Sequence, residues 1–189
     1  EALLELPDPR GLTGRVVDGL TGEPISTARV ALEVTTGFST LRPWKEATRV
    51  DGRGMFEMSG LVPGENQIRV TAEGYGARAV IVRALDAERV DAGRIGLHRH
   101  GSLEVQLSGM PEAELSALRV DLMGYEHRPF LQVPNSGVIR FDDLMPGSYT
   151  PRVVFPDNST RWLAAHVAPG QNTRLQANVA SEGFRVEIE

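Results

Sequence analysis

The sequence predicts an all-β protein built as two tandem, seven-stranded antiparallel β-sandwich domains. Three observations predict it. Apolar residues recur with a period of two rather than 3.6. Gly, Pro, Asn and Asp interrupt that alternation at short intervals. Blocks from the first half of the 189-residue chain recur in the second.

The alternation is clearest where Ala28, Val30, Leu32 and Val34 are interleaved with Arg29, Ala31, Glu33 and Thr35. Ile68, Val70 and Ala72 repeat the pattern, as do Leu103, Val105 and Leu107, then Leu118, Val120 and Leu122. Side chains on a strand point alternately to opposite faces, so each run makes one buried and one wet face. Such one-sided strands suit an antiparallel sandwich, whereas parallel strands read as continuous apolar runs.

In chain order, a lead-in segment 1–10 carries Leu3, Leu4 and Leu6. The first sandwich, 11–98, has room for strands at 12–18, 27–36, 45–50, 54–59, 66–72, 78–84 and 89–97. Asp18–Pro24 is a turn between two strands, and Asp51-Gly52 with Gly54 is a hairpin signal. The second sandwich, 99–180, holds a similar set from 101 to 179. In the last segment, 181–189, Phe184, Val186 and Ile188 alternate with charged residues, as an extra strand or the start of a further module. Between the halves, Leu97–Gly101 is too short for a flexible linker. The repeat is anchored by Gly60-Leu-Val-Pro-Gly64 and Asp143-Leu-Met-Pro-Gly147. In each, Pro sets φ for a corner and Gly takes the position after it.

Composition narrows the function. The net charge of −5 argues against nucleic acid, whose binding draws on cations. Absence of cysteine removes disulfides, thiolate metal sites and cysteine nucleophiles. No apolar run approaches the roughly 18 residues of a membrane helix, so the fragment is not expected to be membrane-embedded. The first residue is Glu rather than Met, and the chain is expected to be a mature or excised piece of something longer.

Residues 11–97 resemble the carboxypeptidase regulatory-like family. The ordered motifs are Gly14-Arg15-Val16-Val17-Asp18, Thr21-Gly22-Glu23-Pro24-Ile25 and Ala28-x-Val30, then Thr48-x-x-Asp51-Gly52-x-Gly54-x-Phe56, Leu61-x-Pro63-Gly64 and Ala72-x-Gly74-Tyr75. The second half keeps Gly101 and the Phe141…Leu144-x-Pro146-Gly147-x-Tyr149 block, and looks like a diverged relative. The resemblance implies Greek-key sandwiches of transthyretin- or immunoglobulin-like type. It also implies a domain without a reaction of its own, accompanying a larger exported protein, whether periplasmic, outer-membrane-associated or extracellular.

Candidate chemistry is sparse. His98 and His100 would share a strand face and could bind a divalent metal, but no further ligands stand at motif spacing. Asp51–Gly54 lacks the alternating acidic ligands of a calcium loop. Asp142 and Asp143 are adjacent, so on a strand they diverge rather than form a catalytic pair. No catalytic residue, cofactor or metal is expected. Transthyretin-like hydrolysis is the remotest reading, since no general base with a positioned partner stands out. The one lead is aromatic. In 161–167, Leu163, Ala165 and Val167 should face inward and Trp162 and His166 outward. Phe38 and Trp44 lie in the longest loop of the first half, and Tyr125 and Phe130 in a similar loop of the second. Exposed aromatics can stack on a sugar ring or a partner protein. The chain is therefore expected to be a non-catalytic structural or interaction module pair, or a stiff spacer, contacting another protein or other domains of its parent. A carbohydrate-binding module is the alternative.

Overall fold

The computed structural model describes residues 10–36, 39–41, 47–84, 89–124, 128–180 and 186–188. The chain divides into two compact units, Glu1–Leu97 and His98–Glu189.

In the first unit the strands are β1 (Arg10–Asp18), β2 (Arg29–Thr36), β3 (Ser39–Leu41), β4 (Thr48–Arg49), β5 (Met55–Leu61), β6 (Gly64–Ala72), β7 (Tyr75–Ala84) and β8 (Arg89–Leu97). One sheet has the order β5-β1-β8; the other runs β3-β2-β6-β7, with β4 also on β2. The alternation in sequence becomes the core directly. Leu12 and Val16 of β1, Val30 and Leu32 of β2, Phe56 and Met58 of β5 and Ile68 and Val70 of β6 are buried between the sheets. Arg29, Met55, Glu57 and Arg69, one position out of phase, are exposed.

The second unit holds β9 (Gly101–Ser108), one helical turn α1 (Glu112–Leu115), β10 (Arg119–Gly124), β11 (Arg128–Gln132), β12 (Val138–Leu144) and β13 (Gly147–Val154). It continues with β14 (Thr160–Trp162), β15 (Ala165–Val167), β16 (Asn172–Asn178) and β17 (Val186–Ile188). Its sheets are β12-β9-β16-β17 and β11-β10-β13-β14, with β15 also on β13. The connectivity repeats that of the first unit. In both, the opening strand lies between a strand antiparallel to it and a later strand parallel to it, while the second strand pairs with the one after the Pro-Gly corner. Leu103, Val105, Val120, Leu122, Phe141 and Leu175 belong to its core.

The all-β sandwich expected from sequence is present, with three additions. Among the described residues each unit contains one parallel pair, β1 with β8 and β9 with β16. Both members still bury a single face, so period-two alternation carries no information about strand direction. The Asp51–Gly54 turn is not a hairpin. It joins β4, which pairs with β2 in one sheet, to β5, which pairs with β1 in the other. Asp51 Oδ1 accepts from the amides of Arg53 and Met55, both at 2.8 Å, and Gly54 takes φ +76°. A Cβ on Gly54 would lie 2.4 Å from the Val16 carbonyl oxygen, so both conformation and space demand glycine. Finally, α1 is too short to register as helical periodicity, and it seats Leu115 in the core.

Of the segment 181–189, Val186–Ile188 pairs antiparallel with β16 and extends the sheet of the second unit.

Candidate functional site

Polar groups buried in an apolar interior must be bonded or paired to be tolerated. Three carboxylates are buried among the described residues, those of Asp18, Glu33 and Asp121. Asp18 Oδ1 accepts from the amides of Leu20 (2.9 Å) and Thr21 (3.2 Å), and its Oδ2 accepts from the Tyr75 hydroxyl at 3.0 Å. Glu33 accepts from Gln67 Nε2 at 2.6 Å and from Arg69 Nε at 2.5 Å. Both act as ties within the first unit.

Asp121 organises a surface. It sits on β10 with its side chain on the outer face of the β11-β10-β13-β14 sheet, flanked in phase by exposed Arg119 and Met123. Yet it is 0% exposed. The register places Arg152 of β13 directly opposite, and the guanidinium closes over it as a fork, Nε to Oδ1 at 3.0 Å and a terminal nitrogen to Oδ2 at 2.6 Å. Bidentate pairing of this kind fixes guanidinium orientation as well as charge. The hydrogen bond to Asp121 raises the pKa of Arg152, so it stays a cation.

The guanidinium so held also meets two aromatic rings. Arg152 lies 5.0 Å from the Phe130 ring centroid and 5.3 Å from that of Trp162. Arg119 approaches the same Phe130 ring at 5.4 Å. These distances fall within cation–π range. Trp162 arrives there because β14 pairs with β13 at Arg152↔Trp162. The result is a row across the sheet, Phe130, Arg152, Trp162, resting on a buried carboxylate. Phe130 is 44% exposed and Trp162 52% exposed.

As expected, Leu163, Ala165 and Val167 are buried and Trp162 and His166 are exposed. His166 pairs with Ser148 on β13, four residues from Arg152, or about 13 Å along the same outer face at roughly 3.3 Å per residue. The fold therefore brings Phe130 and Trp162 together and leaves His166 apart. Phe38, Trp44 and Tyr125 lie outside the described residues. Sequence reasoning missed Arg152 and Asp121. Each is an ordinary charged residue at an outward-phase position, and only the cross-strand register reveals them as a pair.

The remaining candidates have structural surroundings. His98 is exposed, and His100 Nδ1 is 4.0 Å from Asp143 Oδ1. Among the described residues no group of three or more His, Asp or Glu side chains could hold a metal. Asp142 accepts from Arg140 Nε at 2.7 Å, and both it and Asp143 are exposed. Among the described residues no helix is long and apolar enough to cross a membrane.

Comparison with known proteins adds a family and a set of distant folds. Residues 11–93 match the family model of the carboxypeptidase regulatory-like domain. No curated protein sequence matches the chain. Among solved structures, GBS52, the minor pilin of Streptococcus agalactiae, is 12% identical with a TM-score of 0.48, over 89% of this chain and 94% of that one. A streptococcal ancillary pilin is 12% identical with a TM-score of 0.47, over 87% of this chain and 62% of its own. The Bacillus anthracis TIE protein is 13% identical with a TM-score of 0.40, over 91% of this chain, which spans only 34% of its length.

Proposed function

Taking residues 11–93 as a carboxypeptidase regulatory-like domain, we propose that the chain is a non-catalytic structural and interaction module pair of an exported or cell-surface protein. The observation that carries this reading is the use made of the buried carboxylates. All three are engaged by backbone amides, a tyrosine, a glutamine or arginines of the same unit. Groups committed to holding strands together in this way are not poised as acids, bases or nucleophiles.

The contact surface is the outer face of the β11-β10-β13-β14 sheet, at Phe130, Arg152 and Trp162. Aromatic and arginine side chains are the residue types that dominate protein–protein hot spots. Here the stack pre-organises them, which reduces the ordering cost of binding. The partner is another protein or a further domain of the parent chain. The test is photo-crosslinking in the parent protein on intact cells. A crosslinker at Phe130 or Trp162 is expected to capture a defined neighbour, and one at Glu57, an exposed position on β5, is not. Equal capture at all three positions, or none anywhere, overturns the contact surface. Protection of the chain from protease added to intact cells overturns its surface location.

A second reading is carbohydrate binding, favoured by the half-exposed Trp162 ring, since Arg152 covers one face and a sugar could stack on the other. Retention on a polysaccharide column that is abolished by Trp162→Ala would support it. Elution in the void from every polysaccharide would eliminate it.

A further inference from the structure

Among the described residues, charged residues that face each other across neighbouring strands are, at four places, arginine opposite a carboxylate, and at one of these Arg140 faces Glu104 but pairs with Asp142. At the other three, Arg83 faces Glu65, Arg152 faces Asp121 and Arg174 faces Glu104, and each forms an ion pair. At the end of β2 the arrangement differs. Arg29 pairs in register with Arg49 of β4, and its other neighbour is Thr71 of β6. Like charges directly opposite on antiparallel strands are destabilising. Among the described residues neither guanidinium has an ion-pair or hydrogen-bond partner. The other in-register arginine pair, Arg15 with Arg94, lies on parallel strands, and Arg15 donates from Nε to the Arg53 carbonyl.

Arg29 and Arg49 line a cleft of about 790 Å³ in the first unit. Ser26, Thr27 and Thr71 add hydroxyls to its wall, and Glu73 is the one carboxylate among the described residues that line it. Among the described residues the cleft thus sets two guanidiniums and several hydroxyls against a single carboxylate.

We propose that this cleft binds an oxyanion, a carboxylate or phosphate group, that occupies the place a cross-strand carboxylate fills elsewhere in the fold. Two guanidinium forks can each present parallel N–H donors to such a group, and its negative charge offsets the repulsion between Arg29 and Arg49. Glu73 acts in the opposite sense, weakening binding through like charge.

The experiment is titration of the full chain with inorganic phosphate and, separately, with acetate at low ionic strength, followed by NMR. Saturable shifts are expected at the Arg29 and Arg49 side-chain Nε signals and at the amides of Ser26, Thr27 and Thr71. Response to phosphate alone would assign the site to phosphate groups, and response to acetate at least as strong would assign it to carboxylates. Arg29→Ala or Arg49→Ala should weaken binding about tenfold or more. Glu73→Gln should tighten it, and Arg69→Ala, which removes an arginine already paired with Glu33, should leave it unchanged. Thermal melts of each variant confirm folding, and the anion should raise the melting temperature of the unaltered chain but not of the Arg29 or Arg49 variants. Linear, unsaturated shifts with either anion, or equal weakening by Arg69→Ala, would overturn the proposal.

Discussion

Removing the Arg152 guanidinium would leave the Asp121 carboxylate buried without a counter-charge, and that costs far more than the pair itself contributes. Arg152→Ala is therefore expected to lower the melting temperature of the second unit by on the order of 10 °C. Trp162→Ala removes a half-exposed ring and should shift it by no more than a few degrees. The double change Asp121→Leu with Arg152→Met should recover most of the loss, because no charge is then stranded. Circular-dichroism melts distinguish these outcomes. A loss in Trp162→Ala equal to that in Arg152→Ala would mean that the stack, not the ion pair, holds the face. In sequence, the outward phase of Trp162 and His166 was legible from Leu163, Ala165 and Val167. The company Trp162 keeps was not, because Arg152 and Asp121 are far apart along the chain and meet only through strand register.

At the scale of elements, turns and corners decide how strands are shared between sheets. Gly14 of β1 lies directly opposite Phe56 of β5, and a Cβ there would come within 2.7 Å of the ring. Gly14→Ala should cost about 1–3 kcal/mol by displacing that ring. In the second unit, Tyr149 is buried and its hydroxyl donates to the Met145 carbonyl at 2.8 Å, tying the start of β13 to the corner before it. Such a tyrosine corner pins the entry to a sandwich strand. Tyr149→Phe keeps the ring and removes the bond, with an expected loss of about 1 kcal/mol. Urea denaturation of both variants checks these values, and an unchanged midpoint in either would show the contact to be dispensable. The Gly14 and Pro-Gly motifs were legible as folding signals. Asp51–Gly54 was legible as a turn but misread as a hairpin, because a local turn fixes a chain reversal and not the sheet that the next strand joins. The helical turn at Glu112–Leu115 left a trace, proline followed by acidic residues, but four residues give no periodicity to read.

For the whole molecule, two compact units each with its own core lead to an expectation about cooperativity. We expect residues 1–97 and 98–189, expressed separately, each to give a dispersed amide spectrum. Calorimetry of the intact chain should resolve two transitions whose midpoints respond independently to Gly14→Ala and Arg152→Ala. A single transition moved equally by both substitutions would show one cooperative block and sink the two-domain reading. The shared connectivity of the units supports a duplicated scaffold, on which the first unit carries a paired-arginine cleft and the second an aromatic–arginine face.

Taken alone, the sequence determined the all-β class, the positions of most strands in the first unit and the outward phase of Trp162 and His166. Those properties follow from side-chain alternation and turn chemistry, both written in neighbouring residues. The tertiary structure decided which strands run parallel, which sheet each strand enters, and which charges face one another. Those depend on register between segments separated by tens of residues, where alternation is the same for either strand direction and silent about the partner. Asp121 with Arg152, and Arg29 with Arg49, are pairs of that kind.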